Sequence, residues 1–198
     1  MQTEQNRARV VVIVCAFIGL LWFWQWPQAS HETQAALSND PGGSAIFAQF
    51  EGIDGECRVR DHENWCELLS FRESHNARAR AVAFEDVTLT KPLDKAGPKL
   101  AEAVCRNTVI PVVRIHVTRS FASGVKVCCA YELKNARLTG YEIEGASQGQ
   151  HPAVEEISLR FEEITTTYTE YDATGQARGN VQYMWRVGGT VTPLLRVR

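Results

Sequence analysis

Between Ala45 and Val187 apolar and polar residues alternate in short runs, the period-2 pattern of half-buried strands. Ile46, Ala48 and Phe50 fall on one face of a first strand, and the turn Asp54-Gly55 follows. Trp65 to Phe71 is a second apolar run. Ala81 to Thr90 alternates again through Val82, Phe84 and Val87. Val113, Ile115 and Val117 alternate with Arg114, His116 and Thr118. Val125 to Leu133 and Leu138 to Ile143 predict two further strands, separated by the polar break Lys134-Asn135-Ala136-Arg137. Ile157, Leu159 and Phe161 set one phase. Ile164, Thr166 and Tyr168 take the other, a one-residue shift of the kind a β-bulge produces. Val181, Tyr183, Trp185 and Val187 predict a last strand. One segment reads as helix: Pro98 suits a first turn, Leu100, Ala103 and Val104 make one apolar face, and Asn107 can cap the end. About eight strands to one short helix predict a mainly β domain, a closed or nearly closed antiparallel barrel or a sandwich, with the helix packed on an end or side.

The N-terminus breaks this pattern. Val10 to Trp24 carries no charge, and as a helix it would be about 25 Å long. Arg7 and Arg9 precede it, and Trp22, Trp24 and Trp26 crowd its far end. The positive-inside rule then leaves the N-terminus in the cytoplasm and the β domain on the periplasmic side. Two readings stay open, an uncleaved anchor and a cleaved signal segment. Ala29 and Ser30 fit a cleavage site, while Pro27 and Gln28 do not. The expected organisation is an N-terminal hydrophobic helix in residues 1–27, a flexible linker in 28–44 and a β domain in 45–198. The linker carries the turn-formers Asn39-Asp40-Pro41-Gly42-Gly43.

Charge adds one exclusion. Lys and Arg number 21 against 23 for Asp and Glu, so no basic excess points to nucleic acid. The chain lacks G-x-S-x-G, H-E-x-x-H, P-loop and G-x-G-x-x-G patterns. None of its five histidines stands at zinc-ligand spacing from another. His116, on an alternating strand, is expected to point to solvent or to a partner subunit. Glu155-Glu156 and Glu162-Glu163 are neighbours on strands, so each pair splits between two faces, and an exposed charged face is the expected reading. No enzyme activity, cofactor or metal is expected. Cys57 and Cys66 flank a polar loop. If the domain is exported, a disulfide between them is possible and would stabilise by roughly 3 kcal/mol. The other reading of the cysteines is small buried hydrophobes.

The motifs, taken in order, carry a resemblance. They are Gly52-Ile53-Asp54-Gly55-Glu56, Trp65-Cys66-Glu67-Leu68-Leu69-Ser70-Phe71 and Phe84-Glu85-Asp86-Val87. Leu93-Asp94-Lys95-Ala96-Gly97-Pro98-Lys99-Leu100 follows, then Tyr131-Glu132-Leu133-Lys134-Asn135-Ala136. Glu155 to Phe161, Thr167-Tyr168-Thr169 and Gly179-Asn180-Val181 complete the set. This series resembles the Hcp tube protein of bacterial type VI secretion, with Leu93 to Cys105 similar to that family's strand-to-helix connection and Gly179-Asn180-Val181 to its closing turn. The resemblance implies an Hcp-like β-barrel with one helix at its side. It also implies six-membered rings stacked into a tube, a sheath and a spike as partners, effectors carried in the lumen, and no catalytic site. With the N-terminal segment added, an alternative is a membrane-tethered or exported Hcp-like module that binds an envelope partner outside any tube.

Overall fold

The computed structural model describes residues 43–78, 81–145 and 152–187. All belong to the compact unit Gln34–Arg198. The apolar segment 10–26 and most of the linker lie outside the described residues. Among the described residues, no helix is long and apolar enough to cross a membrane.

Among the described residues eleven strands and one helix follow one another, and every strand pairing is antiparallel. The strands are β1 (Ile46–Phe50), β2 (Cys66–Leu68), β3 (Ser70–Arg72), β4 (His75–Arg78), β5 (Ala81–Phe84) and β6 (Val87–Pro92). The helix α1 (Gly97–Arg106) comes next. Then come β7 (Val109–Phe121), β8 (Gly124–Glu144), β9 (Val154–Arg160), β10 (Glu163–Tyr171) and β11 (Ala177–Arg186). The main sheet runs β2-β1-β7-β8-β9-β6-β3, with β10 on β8 and β11 on β10, while β4 and β5 form a separate hairpin.

The ladder of hydrogen bonds is not a closed barrel. Its two ends, β2 and β3, are consecutive pieces of one run, separated by Leu69 alone. There the strand exchanges partners: β2 lies on β1, and the Leu69 N–H already donates to the Thr90 carbonyl of β6 (2.7 Å). The side chains nevertheless enclose one core. Phe50, Leu89, Leu100, Ile115, Leu133, Ile157, Leu159 and Ile164 are all fully buried in it.

Three expectations change here. The polar break at Lys134–Arg137 does not end a strand, because β8 runs through it with Asn135 in the left-handed region (φ 52°). The phase shift after Phe161 is an interruption and not a bulge. Strands β9 and β10 lie along the same edge of β8, pairing Arg160 with Arg137 and Glu163 with Lys134, so neither side inserts a residue. Three neighbouring strands change phase together. Buried positions step from Ile110 to Val113 on β7, from Leu133 to Ala136 on β8, and from Phe161 to Ile164 across the β9–β10 gap. Pro111 stands in the same stretch of β7, where its missing N–H suits a weakened ladder. Finally, Gly179-Asn180-Val181 is strand interior, within β11, and not a turn.

The helix agrees with its sequence signals. Pro98 sits in the first turn, and Asn107 closes the helix in the left-handed region (φ 51°). The N–H groups of Asn107 and Thr108 bond to the carbonyls of Val104 and Ala103. Leu100 and Ala103 are buried against the sheet. No side chain of the N-cap residue Ala96 bonds the first turn. Instead the Asp94 carboxylate accepts the Ala96 N–H at 2.9 Å.

Candidate functional site

The two cysteines singled out for a disulfide are free thiols in different clusters. Trp65 and Cys66 are adjacent, so their side chains leave the chain on opposite sides. Cys66 enters the main core. Cys57, held by its N–H to the Trp65 carbonyl, packs with Phe47 and Trp65 in a second, smaller cluster. Gly55 brings the loop this close: a Cβ there would strike the Trp65 and Cys66 backbone. Burial raises both thiols above the ordinary cysteine pKa, and for Cys66 the nearby Asp94 adds to the rise. Such thiols react slowly. We expect the denatured chain to take up the same number of alkyl groups with and without prior reduction. Two additional alkylated sites after reduction, at Cys57 and Cys66, would contradict the free-thiol arrangement.

A cluster of ionisable side chains lies at the joint between β6, β9 and α1. Lys91 is fully buried and pairs with Glu155, also fully buried, and with Asp94 (2.7 Å). It donates as well to the Pro92 carbonyl (2.8 Å). Tyr141 donates its hydroxyl to Glu155 (2.6 Å). Burial by itself pulls the Lys91 pKa down, but the bonds to Asp94 and Glu155 more than offset it and the net shift is upward. Gly97 makes room for this cluster, since a Cβ there would collide with the Glu155 carboxylate. Glu155 is therefore not part of an exposed face, as sequence suggested. A signal was available: Val87, Leu89 and Lys91 share one alternating phase, and so do Glu155, Ile157 and Leu159. Each charge continues a core-facing row.

The second cluster holds a histidine pair. His62 Nε2 and His116 Nδ1 are 2.9 Å apart and share one hydrogen bond. His62 stacks on Phe47 (centroids 4.2 Å) and meets Trp65 edge-on (4.9 Å), and Trp65 lies 4.6 Å from His116. Sequence placed His116 toward solvent or a partner. The loop 51–65, folding back over β1 and β7, covers it instead. Burial lowers the pKa of His62, and burial with the proximity of His62 and Arg114 lowers that of His116 to about 4.

The most exposed strand of the sheet is β11. Every residue of β11 except Trp185 is exposed. Among the described residues β11 pairs only with β10, which leaves its other edge open. The register places Ile164 opposite Trp185, Thr166 opposite Tyr183 and Tyr168 opposite Val181. The face that is core at Ile164 and Leu133 thus continues outward as the exposed Tyr168, Tyr183 and Val181. Val181 is 74% exposed. The opposite face carries polar side chains on β10 and around Arg114, and its His116 and Phe47 belong to the second cluster. Gln182 bonds to Thr167 (2.9 Å), and Arg114 bonds to Gln49 (3.0 Å) and pairs with Glu132 (3.5 Å). Glu163 is held between Lys134 and Arg186, 2.7 Å from each. The Lys134 bond, with that of Arg186, holds the Glu163 carboxyl below the usual range. A polar cleft of about 320 Å³ beside Arg114, Glu51, Asp54 and Glu63 brings no nucleophile and base together. Among the described residues, no group of three or more His, Cys, Asp or Glu side chains is placed to hold a metal.

Comparison with known proteins points one way. A family model described as "Type VI secretion system effector, Hcp" matches residues 47–168. Among solved structures, Hcp1 from Salmonella typhimurium is similar with a TM-score of 0.62 at 20% identity, covering 72% of this chain and 94% of that one. A type VI secretion system effector from Yersinia pestis gives 0.61 at 19% identity, covering 72% and 99%. The secreted protein Hcp3 from Pseudomonas aeruginosa gives 0.57 at 15% identity, covering 75% and 99%. No curated protein matches.

Proposed function

The chain belongs to the Hcp family of type VI secretion proteins, and on that premise we propose that it is a structural, ring-forming subunit of the secretion inner tube. The single observation that carries this reading, beyond membership, is the sheet face that leaves the core uncovered. Tyr168, Tyr183 and Val181 continue a buried row and are themselves exposed, Val181 most of all. A neighbouring copy placed head-to-tail would cover that face, and six such contacts close a ring. The opposite face, with Gln49, Thr165, Thr167 and Gln182 between paired charges, suits the wall of a lumen through which effector proteins pass. Sheath and spike proteins are the further partners this role requires. No chemistry is assigned to the subunit.

Sedimentation of the full chain in mild detergent tests the ring. The expected species has about six times the 22.2 kDa of one chain, and Tyr183→Glu with Val181→Glu disperses it. A single-chain mass at every concentration would overturn the reading. A second reading rests on Arg7, Arg9 and the uncharged run Val10 to Trp24. In it the domain is membrane-tethered, on the periplasmic side, or exported after cleavage, and binds an envelope partner outside a tube. The mass of the mature protein separates the two forms, because cleavage removes about the first thirty residues.

A further inference from the structure

The tip of the loop 51–65 is fastened to the sheet by a single side chain. From Arg58 to Asn64 every residue is exposed except His62. The backbone bonds of this tip stay inside the loop. The His62 N–H donates to the Val59 carbonyl (2.9 Å), the Asn64 N–H to that of Cys57 (2.9 Å) and the Trp65 N–H to that of His62 (3.1 Å). Among the described residues, the bond between His62 Nε2 and His116 Nδ1 (2.9 Å) is the one hydrogen bond from the tip to β1 or β7.

We propose that residues 58–64 form an acid-released flap, latched to β7 by the His62–His116 bond and freed when both imidazoles take up a proton. A hydrogen bond between two ring nitrogens holds one proton between them. One charge leaves it intact, because a charged ring can still donate to a neutral one. Two charges put an N–H on each facing nitrogen, and the bond gives way to repulsion. Opening therefore takes up as many as two protons. The closed pair gives those charges little support. Among the described residues no carboxylate bonds to either ring. Phe47 of β1 stacks on His62, Trp65 lies against both rings, and Ala130 of β8 stands beside His116. Arg114 of β7 opposes a charge on His116 and is itself paired with Glu132 of β8 (3.5 Å). On the flap, the Arg60 carbonyl, Asp61 and Glu63 favour a charged His62, but they travel with it. Glu67 of β2 stands opposite Phe47 and acts on Cys57. Water thus receives two imidazolium ions better than the closed site does. The released flap bares Phe47 and Trp65 and leaves a charged His116 beside Arg114. The latch stands on this geometry whether or not that face lines a tube.

The test follows two native thiols in the full chain, in mild detergent, at pH 7 and pH 5. Cys57 lies beside the flap with the Val59 N–H on its sulfur (3.4 Å), while Cys66 sits in the main core. Dithiodipyridine labels thiols in acid as well as at neutrality. Peptide mass mapping gives the labelling rate of each cysteine relative to the same cysteine in the denatured chain, which removes the reagent's own pH dependence. The relative rate at Cys57 is expected to rise about tenfold or more from pH 7 to pH 5, under a ceiling near a hundredfold per pH unit for two protons. At pH 5 it is expected to exceed that of Cys66 by about tenfold or more, because the flap opens without global unfolding. His116→Asn keeps an acceptor for His62 and takes up no proton, so its Cys57 rate should rise less than about threefold. The double variant His62→Phe, His116→Phe should show no rise. A parent whose Cys57 rate is the same at both pH values would overturn the proposal. So would equal relative rates at Cys57 and Cys66 at pH 5, which would mean that acid acts only through global unfolding. A rise in His116→Asn as large as the parent's would overturn it as well.

Discussion

Lys91→Met is expected to destabilise the domain by about 3–5 kcal/mol, the usual result of leaving buried charge without its partner. Glu155 is fully buried and Asp94 nearly so, and both rely on the one ammonium. For a chain of this size the melting temperature should fall by roughly 10 °C or more. Tyr141→Phe removes one hydrogen bond from the same carboxylate and should cost only about 1–2 kcal/mol. Urea unfolding of the two variants at neutral pH measures both. A Lys91→Met chain within about 1 kcal/mol of the parent would show that the buried ammonium contributes little to the fold. Because the Lys91 pKa is raised in the fold, its contribution is complete below the ordinary lysine value. It is lost only as pH climbs through the raised value. Neutral and acid conditions therefore leave the ammonium charged.

Acid acts on the histidine pair. His62 and His116 are held below the ordinary value of 6.5, His116 at about 4. The unfolded chain thus takes up protons that the folded chain refuses between these limits. Stability from the pair is complete above pH 6.5 and is lost as pH falls toward about 4. His116 sets an upper bound of about 3 kcal/mol on its own loss, which partial solvent access reduces. Asp61 and Glu63 favour the protonated form of His62, whereas Arg114 opposes that of His116. Urea unfolding at pH 7 and at pH 4.5 reads the effect. The double variant His62→Phe, His116→Phe should lose less stability over that interval than the parent, because it has no imidazole left to protonate there. An equal loss in both chains would place the acid sensitivity elsewhere.

Much of the architecture was legible from alternation. The phases of β1, β7 and β11 follow from every second residue being apolar, because a sheet with one buried face demands it. The helix was readable from Pro98, its apolar stripe and Asn107, since capping is local chemistry. Lys91 and Glu155 mark where the reading stopped short. Their positions in core-facing rows were visible, but a buried charge makes sense only when its partner is known, and the two stand 64 residues apart. His62 and His116 share that limit, being separated by 54 residues and joined by a loop whose path no periodicity describes. The interruption after Phe161 was seen as a phase shift. That β7 and β8 shift with it could not be seen, since each strand alone reports its own phase and not its neighbour's.

By itself, then, the sequence determined the mainly β character, the helix with its ends, the phases of most strands and the resemblance to the Hcp family, which the family match over residues 47–168 bears out. All of these rest on short-range patterns. The tertiary structure alone decided which strands meet and how β8 serves two partners along one edge. It also decided why the β2–β3 run leaves the ladder open, and that Cys57 and Cys66 occupy different clusters. The physical reason is that alternation says only that two faces differ. Which face is buried, and against what, depends on contacts between residues far apart in the chain.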